Sequence, residues 1–250
     1  MNKVCSIVLV NVPFCIVKAE RTESFNGGDL LLMDAISREI FLPYMDFVSE
    51  FFISEKILTK YIENYGDLSR RRDSKATNIM RISSPNHELM SSIFSYINTN
   101  AIYSDVFYEM IMLSCISLFS EQKGFISFIL KVVNSTVQKV RIIIYTDPSR
   151  AWRIKDVCAL IHISESLLKK RLKSEHSSFS RIVLDMRMQR AYSLIRSGHS
   201  VFQTSVLCGY RNASYFIHQF KKYFGTTPFR CGEKEDDNHF PEVNAMNTRR

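Results

Sequence analysis

Four residues recur at one spacing in the C-terminal half of this chain, and the recurrence restricts what that half can fold into. Ser164, Leu168, Leu172 and Lys173 are followed 48 residues later by Asn212, Phe216, Phe220 and Lys221. In each set an apolar pair at i, i+4 falls on one face of a helix, behind a residue of the type that caps helix N-termini. The later set lies in GYRNASYFIHQFKKYFGTTP, Gly209–Pro228. At about 100° per residue, Phe216, Phe220, Tyr223 and Phe224 share a face with Ala213 beside them. Ser214, His218, Lys221 and Lys222 point the opposite way, and Tyr215 lies at their margin. Gly209 punctuates the front of the stretch, Gly225 and Pro228 the back.

The earlier set lies in WRIKDVCALIHISESLLKKRLKSE, which starts at Trp152. Val157, Cys158 and Ile161 form the apolar side of a first short helix, and His162 to Ser164 make the turn with Ser164 as cap. Ser166, Lys169, Lys170 and Lys173 occupy the arc opposite Leu168 and Leu172. The matching first helix of the second unit lies in TSVLCGY and begins near Val201. A solvated face accounts for one such helix. Two copies with both the core face and the basic face preserved predict a repeated helix-turn-helix unit.

Between them, FSRIVLDMRMQRAYSLIRSG spans Phe179 to Gly198. Ile182, Met186, Ala191, Leu194 and Ile195 follow helical spacing and Gly198 ends it. About 18 residues of helix reach roughly 27 Å at 1.5 Å per residue. A rigid spacer of that length can hold two helices near one turn of duplex DNA apart, about 34 Å.

Charge agrees with that geometry. Residues 1–134 carry 13 Lys+Arg against 15 Asp+Glu, residues 135–232 carry 17 against 5, and the last 18 residues carry 3 against 5. The whole positive excess therefore sits on one segment, which attracts a polyanion. Charge by itself leaves open a basic module that binds a membrane surface or another protein without reading DNA sequence. Six scattered cysteines, with no CxxC pair and no zinc spacing, read as buried reduced thiols of a cytosolic protein. The histidines at 87, 162, 176, 199, 218 and 239 have no triad context, and no P-loop, GxGxxG or HExxH occurs. Neither catalysis, nor a metal, nor a cofactor is expected.

The first half reads differently. MNKVCSIVLVNVPFCIVKAE resembles a signal peptide, but Asn11 and Pro13 break the apolar run, which favours a strand, a turn and a second strand. The first 50 residues read as short strands, with CSIVLV and DLLLMD as β-rich runs and FNGGD as a glycine turn. Residues 66–83, including SRRRDSK, read as an exposed loop. HELMSSIFSYINT, SDVFYEMIMLSCISLFSEQ and GFISFILKVV have helical spacing. No run is long enough to cross a membrane as a helix. EKEDDNHFPEVNAMNTRR at the end reads as a disordered tail.

Trp152, Asp156, Ser164, Leu168, the helix carrying Arg187 and the pattern CGY…SYF…FK.YFG.TP resemble the AraC/XylS family of bacterial transcription regulators. The likeness covers about residues 135–230. ISESLLKKRLK, SYFI, VCSIVLV and GDLLLMD are similar to a subgroup of enterobacterial acid-stress, anaerobic-growth and virulence regulators.

The resemblance implies an α+β chain. A regulatory and dimerisation region at 1–133 holds a small β-containing part followed by helices. An all-α DNA-binding domain at 134–232 holds helix-turn-helix motifs at about 154–175 and 202–225, joined by a long linker helix, with the tail at 233–250. Helices within 87–133 are the candidates for a homodimer. A cytoplasmic activator of stress-response or virulence genes that binds double-stranded promoter DNA and contacts RNA polymerase is implied. No cluster of polar groups marks a small-molecule effector site.

Carried over position by position, the base-facing residues are Ser166, Lys169 and Lys170 in the first motif, and Ala213, Ser214, Tyr215 and His218 in the second. Lys173, Lys221 and Lys222 are the phosphate contacts. The family usually places an Ile-Ala pair in the first helix of each motif, where this chain has Val157-Cys158 and Thr204-Ser205. Two hydroxyls then face a core, each needing a partner; Thr204 is expected to bond back to a helix carbonyl.

Overall fold

Val4 to Val10 are buried without a break in β1 (Lys3–Val10). A strand with no solvated face must lie inside a sheet and under helices. The computed structural model shows that arrangement; it describes residues 3–18, 21–65, 77–83, 86–99 and 104–233. The chain divides into two compact units, Met1–Gln138 and Lys139–Arg250. The SRRRDSK run and the tail beyond Glu233 lie outside the described residues.

In the first unit β1 is followed by a bend at Asn11 and Val12, then β2 (Phe14–Lys18) and β3 (Arg21–Phe25), which pair as a two-stranded hairpin. β4 (Asp29–Asp34), β5 (Val48–Ser54) and β6 (Ile79–Ser83) complete a four-stranded antiparallel sheet of order β5-β1-β4-β6. The expected strand, turn and second strand at the start of the chain are all present. Gly28 closes the turn before β4 at φ 90°, with its N–H donating to the Val10 carbonyl at 2.8 Å. A side chain is disfavoured at that φ, so the turn needs glycine. Phe14 stacks on Phe25 with centroids 5.2 Å apart, inside a cluster that also holds Val8, Leu31, Met33 and Phe41.

The helices of this half are α1 (Ala35–Phe41), α2 (Glu55–Tyr65), α3 (His87–Asn98), α4 (Asp105–Ser120) and α5 (Phe125–Val132), followed by α6 (Thr136–Thr146), which belongs to the second unit from Lys139 on. α3, α4 and α5 match the helical spacing read from the sequence. Two readings of this half are corrected. The first 50 residues are not all strand: Asp34 ends β4 and its carboxylate accepts from the Ser37 N–H at 2.8 Å, which starts α1 at once. Part of the presumed loop at 66–83 is β6, too short to show alternation but paired with β4 from Asp29↔Ser83 to Met33↔Ile79. Of the six thiols, Cys15 is exposed on β2 rather than buried, and all six are free.

Both ends of β4 carry a buried acid that meets a cation from elsewhere in the unit. Asp29 binds Arg81 of β6 at 2.5 Å, and Asp34 binds Lys131 of α5 at 2.5 Å. Lys131 also donates to the Asn78 side chain at 2.5 Å. Burial of Asp34 pushes its pKa up, but hydrogen bonds from Lys131 and Ser37 outweigh it, and the carboxyl titrates below its ordinary 3.8.

The second unit is helical throughout: α7 (Ile154–Ile161), α8 (Glu165–Ser174), α9 (Phe179–Arg196), α10 (Val201–Leu207), α11 (Ala213–Phe224) and α12 (Pro228–Glu233). α12 corrects the reading of Pro228 as a terminator. Gly225, at φ 73°, ends α11, and Pro228 sits where proline is tolerated, in the first turn of a new helix. α12 packs on α9 and buries Cys231 with Ile195, Phe220 and Phe224.

A depressed folded-state pKa stabilises above the unfolded value and is lost as pH falls through the folded one. The contribution of Asp34 to the first unit should therefore persist at neutral pH and disappear below 3.8. Asp34→Ala removes an N-cap and the ion pair with Lys131, leaving Lys131 only its bond to Asn78, at a cost of about 1–3 kcal/mol at neutral pH. Urea melts of the full chain at neutral pH and in acid check this: the variant should lose less stability on acidification than the parent.

Candidate nucleic-acid interface

α8 and α11 are built alike. The Ser164 hydroxyl accepts from the Leu167 N–H at 3.3 Å to start α8, and the Asn212 side chain accepts from the Tyr215 N–H at 3.0 Å to start α11. Leu168 and Leu172, and in the other helix Phe216 and Phe220, are buried to 1% exposure or less. Fixing two residues one turn apart leaves a helix no rotational freedom, so the opposite arc is fixed as well. On α8 that arc presents Ser166, Lys169, Lys170 and Lys173, all exposed. On α11 it presents Ser214, Tyr215, His218, Lys221 and Lys222, also exposed, while Ala213 is half-buried.

The polar groups of these arcs differ in what already holds them. Ser166 Oγ lies 3.1 Å from Ser164 Oγ, and Lys169 Nζ lies 3.9 Å from Glu165 one turn back. Among the described residues Lys170, Lys173, Lys221 and Lys222 have no ion-pair partner. Exposed pairs such as Glu165–Lys169 are weak and yield easily to a phosphate or a base. Tyr215 extends outward at 57% exposure with its ring 6.1 Å from that of Tyr210, so its hydroxyl end is available.

The first helices align at a different spacing. Val157 and Cys158 correspond to Thr204 and Ser205, 47 residues on, and the left-handed residues His162 (φ 54°) and Gly209 (φ 75°) are also 47 apart. The caps Ser164 and Asn212 are 48 apart. One extra residue therefore lies between the left-handed position and the second helix in the later turn.

Behind the helices, Arg187 of α9 binds the segment that leads into α7. Its Nε donates to the Pro148 carbonyl at 3.3 Å and its Nη2 to the Arg150 carbonyl at 3.1 Å. Its guanidinium lies 5.5 Å from the centre of the Tyr210 ring. Trp152 Nε1 donates to the Asp147 carbonyl at 2.8 Å, and Arg150 sits 4.2 Å over the indole. The later turn is pressed against this junction at Gly209. This clamp is absent from the sequence reading, which noted Arg187 only within a helix. Nothing in the spacing links residue 187 to 148, 150 or 210, because α9, the 148–150 segment and the turn at 210 are far apart in the chain.

Thr204 and Ser205 are both buried, at 0% and 1% exposure. Their hydroxyls fare differently from the expectation. Ser205 Oγ donates back to the Phe202 carbonyl at 2.8 Å, whereas Thr204 Oγ1 is buried without a hydrogen-bond partner. Only one of the two substitutions away from Ile-Ala is therefore costly. Their neighbour Cys208 is a structural thiol: burial pushes its pKa up to about 12 against the pull of Arg190 and Arg187.

Two substitutions test this scaffold. At Gly209 a Cβ would overlap the Ser149 carbonyl oxygen and lie 2.9 Å from Arg187 Nη2, at a backbone φ of 75°. Gly209→Ala should cost more than the ~1–2 kcal/mol of the left-handed conformation alone and lower the melting point of the second unit. Thr204→Val keeps the shape and removes the unpartnered hydroxyl, so it should stabilise by about 1–2 kcal/mol. Ser205→Ala removes a satisfied hydroxyl and should change little. Thermal melts of the three variants provide the comparison.

Comparison with known proteins agrees with this architecture. Residues 2–133 match the family described as the HTH-type transcriptional regulator AppY N-terminal domain, and residues 157–231 match the helix-turn-helix domain family. The chain is 34% identical to the HTH-type transcriptional regulator YdeO of Escherichia coli (strain K12), over 99% of this chain and 98% of the relative. It is 28% identical to the HTH-type transcriptional regulator GadX of the same strain, over 84% of this chain and 78% of that one. Over 44% of each chain it is 38% identical to the HTH-type transcriptional activator FapR of Escherichia coli. The expectation of an α+β chain with an N-terminal sheet followed by helices holds. A family match over more than half the chain and a full-length relative at this identity place the protein: it belongs to the AraC-type helix-turn-helix regulators with an AppY-type N-terminal domain, and it is a DNA-binding transcriptional regulator rather than an enzyme.

Proposed function

We propose that α7–α8 and α10–α11 are two helix-turn-helix motifs joined by the linker helix α9, and that the chain reads promoter DNA with α8 and α11 in successive major grooves. The observation that carries this reading is the repeated set of caps, buried pairs and exposed lysines. The 18 residues of α9 span roughly 27 Å, which suits helices about one duplex turn apart. Residues 134–232 form the DNA-binding domain and residues 1–133 the regulatory and dimerisation region.

Within this reading Ser166, Lys169, Lys170, Ala213, Ser214, Tyr215 and His218 face bases. Lysine can bond guanine O6 and N7, serine several base edges, and the Ala213 methyl a thymine methyl. Lys173, Lys221 and Lys222 neutralise phosphates and set position rather than sequence. Lys170 is the sharpest candidate for direct readout, being exposed and, unlike Lys169, without an acidic neighbour holding it. The name of FapR as an activator supports a positive effect on transcription, exerted by contact with RNA polymerase on promoters the protein occupies.

Selection of the preferred duplex from a random pool, followed by binding of single-site variants, tests these roles. Lys170→Ala should lose discrimination at one or two base positions in one half of the site, worth about 1–3 kcal/mol there. Lys222→Ala should weaken binding evenly over all sequences and reduce the salt slope by about 1. Equal, sequence-independent losses in both variants would remove Lys170 from the base-reading set.

A further inference from the structure

A shared core seats α11 on the second half of α9: Met188, Ala191, Leu194 and Ile195 cluster with Phe216, Phe220, Tyr223 and Phe224. Among the described residues, none of α7 or α8 belongs to that cluster. The apolar packing therefore orients α11 and leaves the setting of α8 relative to it to other contacts. Those contacts converge on Arg187, half-buried in the middle of α9. Its Nε and Nη2 donate to the Pro148 and Arg150 carbonyls, just ahead of α7, and its guanidinium lies 5.5 Å from the Tyr210 ring centre, just ahead of α11. Tyr210 passes the contact on, with its ring 5.3 Å from Phe216 and 6.1 Å from Tyr215. On the α7 side Arg150 lies over the Trp152 indole and 3.8 Å from Asp156. The backbones leave no slack between these segments, since a Cβ on Gly209 would overlap the Ser149 carbonyl.

We propose that Arg187 is a positioning residue that sets the rotation of α8 against α11. It thereby sets the number of base pairs the protein accepts between the two segments it reads. The inference rests on the reading of α8 and α11 as recognition helices, and is independent of which of their side chains face bases. α9 fixes how far apart the helices stand, but a distance alone does not fix a rotation. One base pair added between the segments moves one of them by about 3.4 Å and turns it by about 35° around the duplex. A loosely jointed pair of helices follows that change at little cost, whereas a preorganised pair loses contacts on one side. Arginine suits the role because its planar fork holds two carbonyls at once, which a lysine ammonium does not reproduce. With its N–H groups on protein carbonyls, Arg187 is not spent on a phosphate.

Two measurements on the full chain test this. Without DNA, spin labels at Ser174→Cys of α8 and Ile217→Cys of α11, both exposed, report the distance between the helices in a Cys15→Ser background. The parent should give one narrow distribution. Arg187→Gln, Arg187→Lys and Tyr210→Leu should each broaden it about twofold. With DNA, the selected duplex is compared with duplexes one base pair longer or shorter between the two protected segments. The parent should lose roughly 30-fold in affinity for either, as for one or two lost base contacts. In the three variants that penalty should shrink to about threefold, with base preferences inside each segment and the salt slope unchanged. A variant that merely destabilised the unit would scale all affinities alike and leave the ratio between spacings where it was. That result, a narrow distribution in the variants, equal affinity of the parent for all three spacings, or a salt slope reduced by about 1 would overturn the inference and leave two-segment reading intact. A parent that protects only one segment of the duplex would overturn both.

Discussion

Two buried residues one turn apart on a helix determine what the other side of that helix can do. Once Leu168 and Leu172 are seated at 0% and 1% exposure, Lys169, Lys170 and Lys173 have nowhere to point except solvent. The same holds for Phe216 and Phe220 against His218, Lys221 and Lys222. The aromatic rings of α11 thus act on the lysines without touching them. They cluster with Met188, Ala191, Leu194 and Ile195 of α9, so the orientation of the exposed arc is inherited from the packing of the helix behind it. Core and interface here are two consequences of one burial pattern.

The first unit is organised by a different constraint. β4 is buried along its whole length, yet it begins and ends with a carboxylate. Leaving either charge unmatched in that position would be severely destabilising, so Arg81 and Lys131 must arrive from β6 and α5 to meet them. The pairs fix where the last strand and the helix can sit. Charge in this unit specifies arrangement, whereas in the second unit the excess charge is left on the surface.

How far the sequence could be read depended on whether the deciding contact was local. The N-caps, the i, i+4 pairs and the strand-turn-strand start are short-range features, and each was legible. α1 was missed because Asp34 serves at once as the end of a strand and the start of a helix, and a strand pattern masks its capping role. β6 was missed because five residues mean little until β4 supplies their partner. α12 was not legible because a glycine followed three residues later by a proline also fits the plain end of a helical segment. In the candidate site the exposed arcs were legible from periodicity. The Arg187 junction was not, since it forms only when three separated segments meet. Position 204 shows the same limit at atomic scale: burial of its hydroxyl could be anticipated, but the lack of a partner depends on packing around α10.

The single additional residue in the later turn makes the two halves of the second unit non-interchangeable. Helices that otherwise repeat are offset by 47 positions before the turn and 48 after it, so rotating one motif onto the other cannot bring both of its helices into register. One copy of the unit therefore has a head and a tail. On the proposed reading by α8 and α11, its recognition site is an arrow rather than a palindrome, and turning that site around on the chromosome would turn the protein with it. Any surface the bound copy offers to the transcription machinery would then face upstream in one orientation and downstream in the other, with every protein–DNA contact unchanged.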